Sequence, residues 1–197
     1  LLDNNPSNMM DGLISILKIL LLTGQRVEQT SRMQWEHLDF DNMVWDVPPS
    51  ETKTGKKSGV GHIVPLTPMV IKIIQSMPVI DGEIFVFPGM KALKPFSMSG
   101  ISNPLQKLLN CSDIESFTAR DLRRTFTTHL SRIGVLAEVR NRIQNHAIAG
   151  DVESKHYNRF DYANQKKTAL AKWEREIQYL LSLALNDNLI NFNGGAS

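Results

Sequence analysis

Thr118-Ala119-Arg120-Asp121-Leu122-Arg123-Arg124-Thr125 is the stretch on which the reading turns. Thr118 followed three positions later by Asp121 has the form of a capping box. Ala119, Leu122, Phe126, Leu130 and Ile133 recur at helical spacing, and Gly134 follows as a stop, so a helix is expected from Thr118 to Ile133. Arg120, Arg123 and Arg124 stand at i, i+3 and i+4 and therefore project from one side of it. Arg123 lies at the edge of the apolar stripe and is expected to be half-buried. A guanidinium there needs a carboxylate, backbone carbonyls or a bound phosphate. Taken alone, the three arginines fit equally well a solvated face with internal salt bridges.

The rest of the chain narrows that choice. With 197 residues, 42% hydrophobic and 21% charged, it has the makeup of one globular domain. The net charge of +2 does not mark a nucleic-acid binder, but the distribution is uneven. Phe117 to His146 holds six arginines against two acids, and Lys53, Lys56 and Lys57 form a second basic cluster. Such patches on a nearly neutral body imply an anion-binding face. The lone cysteine, Cys111, excludes an internal disulfide, fits a reducing cytoplasm, and reads as a small buried hydrophobe. The longest apolar run, Ile19 to Leu22, is far short of a membrane span. The start at Leu1, without a signal peptide, is read as a domain from the C-terminal part of a longer protein.

Outward from the arginine helix, periodicity and punctuation set the remaining elements. Met9, Leu13, Ile16, Leu17, Leu20 and Leu21 make one face of a helix over 9–22 that stops at Thr23-Gly24. A short helix is expected from Val27 to Met33, with Trp35 and Leu38 closing onto the core. Met43–Val47 and His62–Leu66 read as strands, joined across Lys53–Gly61 into a hairpin with a long mobile tip. Thr67-Pro68 opens a helix to Met77, and Ile84–Pro88 reads as a third strand. Helices follow over Ser99–Asn110, Ala137–Gln144 and Asn164–Leu185, the last with Ala169, Trp173, Ile177, Leu180 and Ala184 on its stripe. The expected fold is α+β, mostly α-helical with a small antiparallel β-sheet, a domain over 1–185 and a flexible tail over 186–197.

Several residues suit phosphoryl chemistry. Arg26 stands at a helix start, where backbone amides already favour anions and a guanidinium adds a two-pronged donor. Lys53 on the hairpin is placed to give a proton to a leaving oxygen. Tyr157 lies in basic surroundings; a phenol ionises near pH ~10, so it needs a base or cations to act as a nucleophile. His146 supplies a proton shuttle. Taken singly, Lys53 also reads as a turn lysine and His146 as a structural histidine. Carboxylates at metal-ligand spacing, a glycine-rich nucleotide loop and a zinc-binding cysteine set are all missing, which leaves cation-driven chemistry.

These pieces, in this order, resemble the catalytic domain of the tyrosine recombinases, the phage integrase family, over about residues 10 to 175. Leu22-Thr23-Gly24-Gln25-Arg26, with Trp35 beyond, is similar to the family's first arginine box. Thr52-Lys53-Thr54-Gly55 with Val64-Pro65-Leu66 resembles its lysine-bearing hairpin. Ala119 to Phe126 resembles the second box, with Arg123 at the catalytic arginine. Asn145-His146 matches the His/Trp position, and Tyr157-Asn158-Arg159 the nucleophile. Ala169-Leu170-Ala171-Lys172-Trp173 is especially like prophage and genomic-island integrases.

The resemblance implies a DNA breaking-rejoining domain. It would act in site-specific integration and excision through a covalent 3′-phosphotyrosine, without metal, ATP or other cofactor. The implied catalytic set is Arg26, Lys53, Arg120, Arg123, His146 and Tyr157. The implied partners are double-stranded DNA attachment sites, three further copies of the chain in a homotetramer on that DNA, and accessory DNA-bending proteins, with no membrane. The isolated domain is expected to be monomeric, and the last helix is expected to pack in cis or on a neighbouring protomer. Three positions depart from the pattern. Arg120 replaces a frequent histidine, Gln29 replaces a frequent acid that would support Arg26, and the gap from His146 to Tyr157 is two residues longer than usual. Tyr162 is the rival nucleophile, less favoured because Asn158-Arg159 after Tyr157 fits the family. A type IB topoisomerase uses the same constellation, and Leu122 to Gln144 also reads as a helix-turn-helix around Gly134.

Overall fold

The computed structural model describes residues 6–52, 55–91, 93–146 and 162–193. Helix α1, Pro6–Thr23, lies at the centre and packs on elements from both ends of the chain. Its apolar spacing buries Leu13, Ile16, Ile19, Leu20 and Leu22. The helix ends where the Thr23 hydroxyl donates to the Ile19 carbonyl at 2.7 Å and Gly24 N to the Leu20 carbonyl at 2.9 Å. Gly24 then takes φ +62, a left-handed stop that costs glycine little. Helix α2, Val27–Ser31, follows at once.

The expected hairpin forms and gains a short strand, Leu38–Asp39, that the sequence reading did not include. Strands β1 (Leu38–Asp39), β2 (Val44–Val47) and β3 (His62–Pro65) pair antiparallel in that order, with Trp45 opposite both Leu38 and Val64. Alternation buries Trp45 and Val47 and leaves Asp46 exposed. Instead of an open tip, the described residues between β2 and β3 form a 3-10 turn, Pro49–Glu51, and one helical turn, α3, Gly55–Ser58. The Thr52 hydroxyl accepts from Gly55 N at 2.6 Å and joins the two turns.

The expected third strand is a correction. Ile84 to Pro88 makes only isolated bridges, Gln34 to Phe85 and Pro88 to Pro95, because a proline has no amide to continue a ladder. Cys111 is a second correction: it is exposed, at the residue that ends α5 (Met98–Asn110), where the chain turns on the surface.

The remaining helices are α4 (Pro68–Gln75), α6 (Ala119–Arg132), α7 (Ala137–Ile143) and α8 (Ala163–Asn193). The cap of α6 is as read from sequence: the Asp121 carboxylate accepts from Thr118 N at 2.9 Å and from its hydroxyl at 2.7 Å. These bonds, with that from Arg124, hold the Asp121 carboxyl below its usual range.

Helix α8 fastens the domain. Trp173 Nε1 donates to the Leu21 carbonyl at 2.8 Å, and the Glu174 carboxylate accepts from Met69 N at 3.1 Å, capping α4 from a distant part of the chain. The predicted stripe holds for Ala169 and Trp173, which are buried, and fades at half-buried Ile177. Leu180 and Ala184 are exposed, and the helix continues through Asn193 rather than ending at Leu185.

The core has two parts. One gathers α1, the sheet, α4 and α5; the other joins α6, α7 and α8 around Phe126, Leu130, Ile143 and Trp173. Phe126 and Trp173 meet edge to face at 6.2 Å, a contact worth ~0.5–1.5 kcal/mol beyond burial. Gly24 sits at the seam. A Cβ there would come within 2.2 Å of the Phe126 ring, so both the turn and the close approach require glycine. Among the described residues, no helix is long and apolar enough to cross a membrane.

Candidate active site

Arg26, Arg120, Arg123, Arg124 and His146 line one cavity of about 520 Å³, with Val27, Glu28, Met98, Thr127 and Gln144. The cavity lies at the seam between the two core clusters. Arg26 precedes α2, Arg120 to Thr127 come from α6, and Gln144 and His146 follow α7. Of the predicted residues, Arg26, Arg120, Arg123 and His146 are therefore together. Lys53 and Tyr157 lie outside the described residues.

Arg123 is held by carbonyls, one of the three options open to a half-buried guanidinium. Its Nη1 donates to the Gly24 carbonyl at 2.6 Å and its Nη2 to the Gln144 carbonyl at 2.8 Å. Nη2 also lies 2.8 Å from His146 Nε2. An arginine nitrogen only donates, so His146 Nε2 is the acceptor and the neutral ring bears its proton on Nδ1. Burial, then the charges of Arg123 and Arg26, lower the His146 pKa. Burial and the nearby Arg26 push Arg123 down to about 10. Arg26 is lowered by burial as well.

Arg26 is less satisfied. Its Nη2 reaches the Asn145 carbonyl at 3.4 Å, and its buried Nη1 has no hydrogen-bond partner among the described residues. Gln29, in the position often acidic, is buried and its amide likewise has no partner among the described residues. Among the described residues no carboxylate pairs with Arg26; nearby charges pair elsewhere, Arg32 with Glu28 and Arg124 with Asp121. Two half-buried cations, one lowered by the charge of the other and one with an unpartnered donor, form a site that favours an anion.

Sequence reading passed over the residues that hold this geometry. The last carbonyls of α7 have no partner within the helix, and cationic or amide donors fill them. The Ile143 carbonyl accepts from Gln25 Nε2 at 2.8 Å and from His62 Nε2 at 3.0 Å. The carbonyls of Gln144 and Asn145 take Arg123 and Arg26. Asn145 adopts φ +49, a left-handed turn that asparagine tolerates and that leads into His146. The Thr127 hydroxyl donates to the Arg123 carbonyl at 2.9 Å and to Gln144 Oε1 at 3.1 Å. One signal was available: alternation in β3 puts His62 on the same face as buried Val64.

Burial, chiefly, and the charges of Lys166, Arg26 and Arg123 lower His62 from 6.5 to about 4, against the raising effect of its bond to Ile143. The unfolded chain therefore binds this proton first. The contribution of neutral His62 is complete above pH 6.5 and is lost as pH falls towards 4. At ~1.4 kcal/mol per pH unit, the loss is on the order of 3 kcal/mol. Urea unfolding midpoints across pH 4 to 7 should fall on acidification, and His62→Phe should flatten that fall.

The family model described as the phage integrase family matches residues 2–163. The chain belongs to the phage integrase family. Prophage integrase IntA of Escherichia coli (strain K12) is 26% identical over 155 residues, covering 78% of this chain and 36% of that protein. The chain thus spans a little over a third of that relative's length. Among solved structures, the integrase from mycobacterium phage Brujita matches with a TM-score of 0.61 at 17% identity, over 84% of this chain and 54% of its own. The Tn1549 transposon integrase, in complex with a circular intermediate DNA, matches with a TM-score of 0.54 at 21% identity, over 68% and 50%. At these identities the likeness establishes a shared fold: a mostly helical recombinase catalytic domain with a small antiparallel sheet, as expected.

Proposed function

We propose that this phage integrase family domain cleaves and rejoins DNA strands at specific sites, integrating and excising a mobile element through a 3′-phosphotyrosyl intermediate. The observation that supports it is the convergence of Arg26, Arg120, Arg123 and His146 on one cavity, where neither Arg26 nor Arg123 has an ion-pair partner among the described residues. A scissile phosphate supplies the missing anion. Its non-bridging oxygens meet the guanidinium of Arg26, whose buried Nη1 is unpartnered, and the fork of Arg123, and exposed Arg120 adds charge from the rim. These donors do most for the transition state, where the non-bridging oxygens bear the most negative charge.

In the step proposed, the Tyr157 phenol oxygen bonds to phosphorus as the bond to the 5′-oxygen breaks. His146 takes the phenol proton and Lys53 gives one to the departing 5′-oxygen. A 5′-hydroxyl from another strand reverses the sequence and reseals without ATP. His146 Nε2 is occupied by Arg123 before substrate arrives, so phosphate binding, by drawing Nη2 away, frees the lone pair that accepts the proton. His62, on the strand that closes the lysine hairpin, feels both Arg26 and Arg123, which supports Lys53 acting at the same cavity. The Tn1549 integrase complex supports double-stranded DNA as substrate, and a homotetramer on attachment-site DNA completes the proposal.

The test is a covalent trap. Incubated with a nicked duplex bearing its attachment sequence, the protein should form an adduct that survives denaturation, and the linked peptide should map to residues 151–162. Sequence-specific binding with no adduct would leave a DNA-binding module without catalysis.

A further inference from the structure

We infer that Gln25 is a positioning residue that sets the spacing of Arg26 and Arg123 through the end of α7. Its side chain is fully buried; Oε1 has no partner among the described residues, while Nε2 makes two bonds. The bonds it makes lead to the site. Nε2 donates at 2.8 Å to the carbonyl of Ile143, and at 3.1 Å to that of Thr23. The next two carbonyls, of Gln144 and Asn145, receive Arg123 and Arg26. Gln25 therefore fixes the first of three consecutive acceptors, and the arginines occupy the other two.

The arrangement interlocks. Residues 24–26 and 143–145 face each other, and Arg123 spans them with one nitrogen on the Gly24 carbonyl and another on that of Gln144. Gln25 closes the same gap from below, sharing the Ile143 carbonyl with His62. Two donors on one acceptor tie the α1–α2 turn, the hairpin strand β3 and α7 to a single point. If that point shifts, the chain carrying His146 shifts with it. An apolar side chain of equal volume would fill the space and fix nothing. Gln25 touches no substrate in this scheme; it acts through the carbonyl.

This inference rests on the reading of the arginine cavity as a phosphate site, and two separate readouts keep the ideas apart. Full-chain wild type, Gln25→Met and a stability-matched control, Val70→Ala in the distant core, are compared by thermal unfolding, by sulfate titration and by solvent exchange of the Arg123 guanidinium protons in NMR. In Gln25→Met, sulfate should bind the folded protein about tenfold more weakly and Arg123 protons should exchange about tenfold faster. Val70→Ala should lower the unfolding temperature and leave both unchanged. Wild-type exchange and sulfate affinity in Gln25→Met overturn the positioning role, whatever its melting temperature. If wild type itself binds no sulfate, the phosphate-site reading fails, and Arg123 exchange alone then decides the role of Gln25.

Discussion

Tyr157→Phe should abolish covalent capture of a nicked duplex, whereas Tyr162→Phe should leave it intact. The contrast follows from the surroundings of the two phenols. Tyr162 immediately precedes α8, with φ +55, and its carbonyl accepts from Lys166 N at 2.8 Å. Its hydroxyl donates to the Glu138 carboxylate, and Arg142 lies over its ring at 5.1 Å. The hydroxyl is thus engaged as a donor away from the arginine cavity. Tyr162 does not line the arginine cavity. It pins the start of α8 to α7. Losing a hydrogen bond to a charged group costs about 1.5–3 kcal/mol, so Tyr162→Phe should melt several degrees lower and still react.

Tyr157 has the reach to do otherwise. It stands eleven positions after His146 and five before Tyr162. At up to ~3.5 Å per residue, neither tether keeps it from the cavity. Near the arginines, cations favour the phenolate. The measurement is the fraction of labelled duplex retained with protein on a denaturing gel. An adduct surviving in Tyr157→Phe and lost in Tyr162→Phe would move the nucleophile to Tyr162.

Much of this fold was written in local signals. Thr118 and Asp121 announced the start of α6, Gly24 the end of α1, and alternation around Trp45 the central strand. The arginines at i, i+3 and i+4 were legible as one face, and half-burial of Arg123 followed from its place beside the apolar stripe. Hidden was what satisfied it: backbone carbonyls of residues 24 and 144, which a side-chain pattern does not report. Gln25 and His62 were hidden for a related reason. Each is a polar residue whose partner, the Ile143 carbonyl, lies far along the chain. Where reading failed outright, the cause was competition from tertiary structure. Ile84–Pro88 had strand composition but no partner strand to continue its bridges. The apolar spacing of α8 ran on past Ile177, beyond the point where the body of the domain covers it.

Arg123→Ala should slow strand cleavage by at least ~10³-fold, and Arg123→Lys by nearly as much. Removing one donor to a developing oxyanion costs about 10²–10³ in rate. Arg123 does more than donate to the phosphate. Its nitrogens also satisfy the carbonyls of Gly24 and Gln144 and hold the His146 ring. Alanine leaves those acceptors open, each at about 1–3 kcal/mol if water does not enter, so the melting temperature should fall with activity. Lysine restores the charge but not the fork: an ammonium on a flexible stem cannot span two carbonyls and an imidazole in fixed directions. It should therefore recover stability more than rate. Exposed Arg120 gives the comparison. A charge screened by water at the rim is worth on the order of 1 kcal/mol, so Arg120→Ala should cost roughly tenfold or less. Single-turnover cleavage rates with saturating DNA, alongside melting temperatures, separate the three. Equal losses for Arg120→Ala and Arg123→Ala would mean that the phosphate sits at the rim, and that the buried fork of Arg123 serves the fold alone.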